Sequence, residues 1–175
     1  MSVGSATPAV AVPLALGHAG LSVGEMDRSL RFYESGLGLD CVSRRVVDDE
    51  YILRIVQVPV ATAIEVAMLS TADGRIAVEL LRYLGTEASE RLGQPDPSTP
   101  GVGHLCLFVA DAAVAAERAL AAGGTRRSPE PVQIESGPYA GGFGFYLSDP
   151  DGYSVELVEA SAQIRNQLEI DRRSR

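Results

Sequence analysis

The sequence predicts an α+β protein built from two tandem βαβββ modules, and three observations carry that prediction. The chain has only two histidines, in matching settings: Gly17-His18-Ala19-Gly20-Leu21-Ser22-Val23 and Gly103-His104-Leu105-Cys106-Leu107-Phe108-Val109. Each is followed by a helical stretch and then by an apolar run holding one glutamate, Ile76-Ala77-Val78-Glu79-Leu80-Leu81 in one half and Tyr153-Ser154-Val155-Glu156-Leu157-Val158 in the other. Superposing the halves on the histidines also aligns Gly17 with Gly103, Leu21 with Leu107 and Val23 with Val109. The step from His to Glu is 61 residues in the first half and 52 in the second.

The elements follow in order. Leu14 to Val23 reads as a buried strand. Asp27 is expected to cap a helix running to about Ser35, ended by Gly36 and Gly38. Leu39 to Val47 is a strand rich in β-branched residues. The acids Asp48, Asp49 and Glu50 favour a short helix start, and a helix near 48–58 accounts for the extra length of the first half. Thr62 to Ser70 and Arg75 to Tyr83 form a hairpin through Thr71-Ala72-Asp73-Gly74. In the second half, Val102 to Ala110 is a strand and Asp111 to Ala122 an alanine-rich helix closed by Gly123-Gly124. Thr125 to Ile134 is an irregular edge strand, since Pro129 and Pro131 cannot donate to a ladder. Gly142 to Leu147 and Tyr153 to Glu159 close a last hairpin through Asp149-Pro150-Asp151-Gly152. The expected organisation is a disordered tail over 1–13, modules over 14–84 and 102–160, a Gly- and Pro-rich linker over 85–101, and a tail or short helix over 161–175.

Composition excludes several functions. A net charge of −8 argues against nucleic acid, because phosphate recognition needs a basic face. No long uncharged apolar run is present, so no membrane span is expected. All 15 basic residues are arginine, which removes Schiff-base chemistry and a P-loop lysine. Two cysteines, Cys41 and Cys106, are too few for a disulfide framework, and a cytoplasmic location is expected.

What remains is the repeated His…Glu pair. A carboxylate among apolar strand neighbours is costly unless paired or coordinated. Two imidazoles and two carboxylates, His18, Glu79, His104 and Glu156, suit one divalent ion of Ni, Co, Zn, Fe or Mn better than calcium or magnesium, which prefer oxygen shells. Taken singly, a strand histidine is most often a hydrogen-bonded structural residue and a strand glutamate a solvated one. The duplicated register favours ligation. Cys106 lies two residues beyond His104, where a small buried apolar role is the simpler reading. Arg82, Tyr83, Phe145 and Tyr146 flank the ligand strands as pocket candidates, although core packing explains the aromatics equally well.

The motifs Gly17-His18, Met26-Asp27-Arg28-Ser29-Leu30-Arg31-Phe32-Tyr33, Leu37-Gly38-Leu39, Val78-Glu79-Leu80-Leu81, Gly103-His104 and Phe145-Tyr146-Leu147-Ser148-Asp149-Pro150-Asp151-Gly152-Tyr153-Ser154-Val155-Glu156-Leu157 resemble the vicinal oxygen chelate superfamily. That group includes glyoxalase I, methylmalonyl-CoA epimerase, extradiol dioxygenases and fosfomycin- and bleomycin-resistance proteins. The resemblance implies a cupped mixed sheet holding one metal with open positions, and a small-molecule substrate that presents adjacent oxygens. The full His-Glu-His-Glu set is similar to metal-dependent glyoxalase I, whereas extradiol dioxygenases use two His and one Glu. A homodimer is expected, with the four ligands drawn from one chain or from two. Glyoxalase I enzymes carry an Arg and an Asn, four residues after the first and second ligands, to hold glutathione. Ser22 and Tyr83 stand there instead, so a glutathione adduct is not the expected substrate.

The leading expectation is a metal-dependent lyase or isomerase that shifts a proton beside a chelated carbonyl. Glu156 or Glu79 would serve as catalytic base. The rivals are an Fe(II) or Mn(II) extradiol-type dioxygenase and a binding protein that sequesters an antibiotic or metabolite without turnover.

Overall fold

The computed structural model describes residues 15–86 and 93–166. Strands β1 (Ala19–Ser22), β2 (Asp40–Val47), β3 (Ala63–Ser70) and β4 (Ile76–Leu84) form one sheet in the order β1-β4-β3-β2. Strands β5 (His104–Val109), β6 (Thr125–Arg126), β8 (Phe143–Ser148) and β9 (Ser154–Glu159) form the other in the order β5-β9-β8-β6, with β7 (Val132–Gln133) also on β8. The first strand of each half pairs parallel with the last, and the rest pair antiparallel. The halves therefore share one topology, and the α+β class with a βαβββ repeat is what the molecule displays. The expected tail over 1–13 lies outside the described residues, as does most of 161–175, of which 162–166 is helical.

Some boundaries differ from the sequence reading, each for a physical reason. Helix α1 (Met26–Leu30) begins after Glu25, and no side chain caps it. Asp27 lies inside the first turn, and its carboxylate takes Arg44 at 2.6 Å instead. The helix then widens into a π-helical turn over Arg31–Gly36, closed by Leu37 N–H donating to the Phe32 carbonyl at 3.1 Å. Helix α2 (Glu50–Val56) is present and ends at Gln57 in the left-handed conformation. Helix α3 (Ala112–Ala121) is capped by the Asp111 carboxylate, which accepts from Val114 N–H at 2.9 Å. The strand expected over Thr125 to Ile134 survives only as β6 and β7, with Pro129 and Pro131 between them.

Each sheet buries one face and leaves the other for chemistry. Leu21, Val78, Leu80, Leu107, Phe145, Leu147, Val155 and Leu157 point inward and share one core with Met26, Leu30, Phe32, Tyr33, Ala116 and Ala119 of the helices. Alternation along a strand sends the intervening residues to the opposite faces. Close approach of the halves depends on Gly36, where an added Cβ would stand 2.9 Å from the Ala122 Cβ and 3.2 Å from the Ala119 Cα.

A buried polar lock fastens the first half to the β8–β9 turn. The Tyr33 hydroxyl donates to Asp149 Oδ2 at 3.0 Å, while Asp149 Oδ1 accepts from the backbone N–H of Asp151 and Tyr153 at 2.9 and 2.8 Å. Asp151 in turn pairs with Arg28 and accepts from the Ser29 hydroxyl at 3.1 Å. Burial, followed by the Asp149 charge, raises the Tyr33 pKa well above its usual value, and burial also raises that of Asp149. Because the Tyr33 shift is upward, its stabilisation is complete below the unfolded tyrosine pKa of about 10 and is lost as pH rises beyond it. Tyr33→Phe should cost about 1–3 kcal/mol at neutral pH by leaving Asp149 Oδ2 unpaired. Urea unfolding across pH 7 to 11 should show a fall in wild-type stability above about pH 10 that is shallower in the variant. Equal alkaline slopes for the two proteins would contradict the role of this hydroxyl.

Candidate metal centre and its family

The predicted site residues lie on the outward faces of the two sheets. His18 immediately precedes β1, and Glu79 is on β4 beside it; His104 opens β5, and Glu156 is on β9. His18 Nε2 lies 3.1 Å from Glu79 Oε2, and His104 Nε2 lies 3.1 Å from Glu156 Oε2. The imidazoles are 40% and 46% exposed and both glutamates 23%, so each pair has its ring open to solvent and its carboxylate largely covered. Two donors about 2.1 Å from a common ion and at right angles stand about 3 Å apart, so each pair is spaced as neighbouring ligands are. A neutral imidazole nitrogen and a carboxylate oxygen are also donors that borderline divalent ions accept.

The four residues are brought together two by two, not as one quartet. Among the described residues, no group of three or more His, Cys, Asp or Glu side chains is placed to hold an ion. One chain therefore presents two separate His–Glu pairs.

The His104–Glu156 pair has neighbours whose role the sequence left undecided. Cys106 lies opposite Glu156 across the β5–β9 ladder, and Tyr146 lies opposite it across β8–β9. Directly paired residues project to one face of a sheet, so both side chains share the face of the Glu156 carboxylate, and the Tyr146 ring meets His104 edge to face at 5.4 Å. Cys106 is exposed rather than a small buried apolar residue. Partial burial, then the nearby Glu156 charge, push its thiol up to about 12. The same causes in the same order push the Tyr146 hydroxyl up to about 12. The sequence signal for both is strand alternation counted from the ligands, since Cys106 is two residues from His104 and Tyr146 pairs with Glu156.

The other pocket candidates separate cleanly. Phe145 is fully buried in the core. Arg82 turns to the helix side, where it joins Glu65 and Glu25 at 3.5 Å in an ionic network that also includes Arg44. Tyr83 shares the outward face with Glu79 by alternation.

Comparison with known proteins agrees with this architecture. The family model for the Glyoxalase/Bleomycin resistance protein/Dioxygenase superfamily matches residues 15–157, and the chain belongs to that superfamily. A lactoylglutathione lyase of Salmonella typhimurium is 32% identical over 145 residues, covering 82% of this chain and 90% of that protein. A 2-epi-5-epi-valiolone epimerase of an Actinomyces species is 29% identical over 162 residues, covering 90% and 86%. The crystal structure of a glyoxalase family protein from Bacillus cereus superposes with a TM-score of 0.71 at 24% identity, covering 88% of this chain and 98% of that one. Named relatives of this chain are thus enzymes, a lyase and an epimerase.

The raised Cys106 pKa has a direct consequence. A thiol kept protonated is a poor nucleophile even when exposed. Iodoacetamide at pH 8 should modify Cys106 about tenfold or more slowly than a cysteine in a short peptide, and Glu156→Gln should speed the reaction. Peptide mass spectrometry over time measures both. Alkylation at the peptide rate would contradict the raised pKa of the thiol.

Proposed function

We propose that the protein is a divalent-metal-dependent lyase or isomerase of the glyoxalase-like type, acting on a small molecule with adjacent oxygens. Its ion would be held by His18 and Glu79 of one copy and His104 and Glu156 of a second. The observation that carries this reading is the pair of matched half-sites, each with its nitrogen and oxygen 3.1 Å apart, that do not meet within one chain. A homodimer that placed the first half of one chain against the second half of another would complete two identical centres, as a two-fold interface requires. Phe108, exposed on β5 and on the same face as His104 and Cys106 by alternation, fits a face that another chain covers.

When bound, the ion supplies Lewis acidity towards a carbonyl oxygen of the substrate. The chain's own residues supply the proton transfer. A carboxylate, Glu79 or Glu156, takes the proton from the carbon beside the carbonyl and returns it to a neighbouring carbon or to the opposite face. The first outcome is an isomerisation and the second an epimerisation, and both fit relatives named as a lyase and an epimerase. Ser22 and Tyr83, standing where glutathione-using enzymes carry Arg and Asn, support a substrate other than a glutathione adduct. Equal His–Glu distances in the two halves support four donors rather than the two-His, one-carboxylate set of an iron dioxygenase.

Elemental analysis of untagged protein tests the reading. About one Ni, Co, Zn, Fe or Mn ion per chain is expected in the wild type, with loss of the ion in His18→Ala and in His104→Ala at little cost to the fold. Wild-type protein that takes up none of these ions on reconstitution would contradict the proposal, as would alanine variants that keep both metal and activity.

A further inference from the structure

The outward face of the first sheet carries a cation that no acidic side chain neutralises. After a register shift between Cys41 and Ser43, Arg44 pairs with Ala67 and Arg45 with Val66. Neighbours along a strand point to opposite faces, so the two arginines diverge here. Arg44 turns to the helix side, where the carboxylates of Asp27 and Glu65 each take it at 2.6 Å. Arg45 turns to the other face, is exposed, and forms neither an ion pair nor a side-chain hydrogen bond among the described residues. Want of acids is not the reason, since the chain holds 23 acidic residues against 15 basic ones. Arg31 and Arg54 also lack such partners, but both lie on helical segments rather than on this face.

Direct pairing carries each face across the sheet. Arg45, Val66, Leu81 and Ser22 form one row from β2 to β1, and Ser43, Met68, Glu79 and Gly20 form the next. Arg45 therefore stands on the same surface as Glu79. Their backbone positions are about 12 Å apart, two strand spacings across and one two-residue step along. The side chains between them, Val66, Met68 and Leu81, are apolar and buried or half-buried. A guanidinium at the rim of an apolar floor attracts an anion more strongly than one in open water, because less solvent screens the pair. An arginine reaching inward from one end and an ion on Glu79 at the other leave a gap about two or three carbons long.

We propose that Arg45 sets substrate specificity by binding an anionic group, a carboxylate or a phosphate, at the end of the molecule away from the chelated oxygens. The inference rests on the metal-dependent reading above and deepens it by naming the substrate class. That class has adjacent oxygens at one end, a short apolar spacer over Val66, Met68 and Leu81, and an anionic group at the other end. The planar fork of an arginine matches either anion with two parallel hydrogen bonds.

The test uses the full-length protein loaded with Co²⁺ and three hydroxamates that share one chelating head. Butyrohydroxamate ends in a methyl group, succinomonohydroxamate in a carboxylate at the same place, and 3-phosphonopropionohydroxamate in a phosphonate. Titration followed by visible absorption reads the affinity of each without turnover. The wild type should bind one anionic probe about tenfold or more tightly than butyrohydroxamate, and the tighter of the two identifies the group as carboxylate or phosphate. Arg45→Met should bring all three probes within about twofold of one another, with butyrohydroxamate affinity and Co²⁺ content unchanged. Arg31→Met removes the same charge from a helical segment and should keep the wild-type preference. Equal binding of the three probes by the loaded wild type would overturn this inference and leave the metal-dependent reading standing. So would a preference that survives in Arg45→Met, or one that Arg31→Met abolishes as well. Protein that takes up no Co²⁺, or whose Co²⁺ binds none of the probes, would overturn both.

Discussion

Burial of one face of each sheet against the helices is the constraint on which everything else depends. Once Leu21, Val78, Leu80, Val155 and Leu157 are committed to the core, strand alternation forces Glu79 and Glu156 outward. The histidines reach the same faces from the start of the neighbouring parallel strands. The helices therefore act on the chemistry indirectly, by deciding which face of each sheet is left over. The Tyr33–Asp149 bond and the Arg28–Ser29–Asp151 cluster keep the two halves in fixed relation, because they join the helical turn of the first to the last hairpin of the second.

Much of this was legible in the sequence. Two histidines in repeated settings and two glutamates in repeated strands marked the duplication, and the turns Thr71-Ala72-Asp73-Gly74 and Asp149-Pro150-Asp151-Gly152 marked the hairpins. What escaped were features set by contacts distant in sequence. Asp27 looks like a cap, but Arg44 on β2 draws its carboxylate away. Residues 31–36 look α-helical, but Phe32 and Tyr33 are both fully buried and the turn there is π-helical. Arg82 and Phe145 lie beside the ligand strands in sequence yet face the interior side, as period-2 alternation counted from Glu79 and Glu156 would have said. Nor does any local pattern reveal that the two His–Glu pairs remain apart within one chain, since that depends on how the two sheets are packed.

The two copies of the module have diverged around their glutamates. Position by position, the halves keep the imidazole, the carboxylate and the core residues that orient them. They differ in what flanks the carboxylate, Gly20 and Met68 in one and Cys106 and Tyr146 in the other. Membership of a superfamily that contains lyases, an epimerase and resistance proteins is consistent with such divergence around a common scaffold.

The proposed sharing of one ion between a His–Glu pair from each of two copies is tested most directly by a mixing experiment. His18→Ala and His104→Ala proteins, each metal-free alone, are combined, partly unfolded and refolded together, and the bound ion is counted. In a mixed dimer, the intact first half of one chain faces the intact second half of the other, so one centre in two is restored and metal binding returns. If the ion were held within a single chain, every centre in the mixture would lack a histidine. Mixed protein as empty of metal as its two parents would contradict the account.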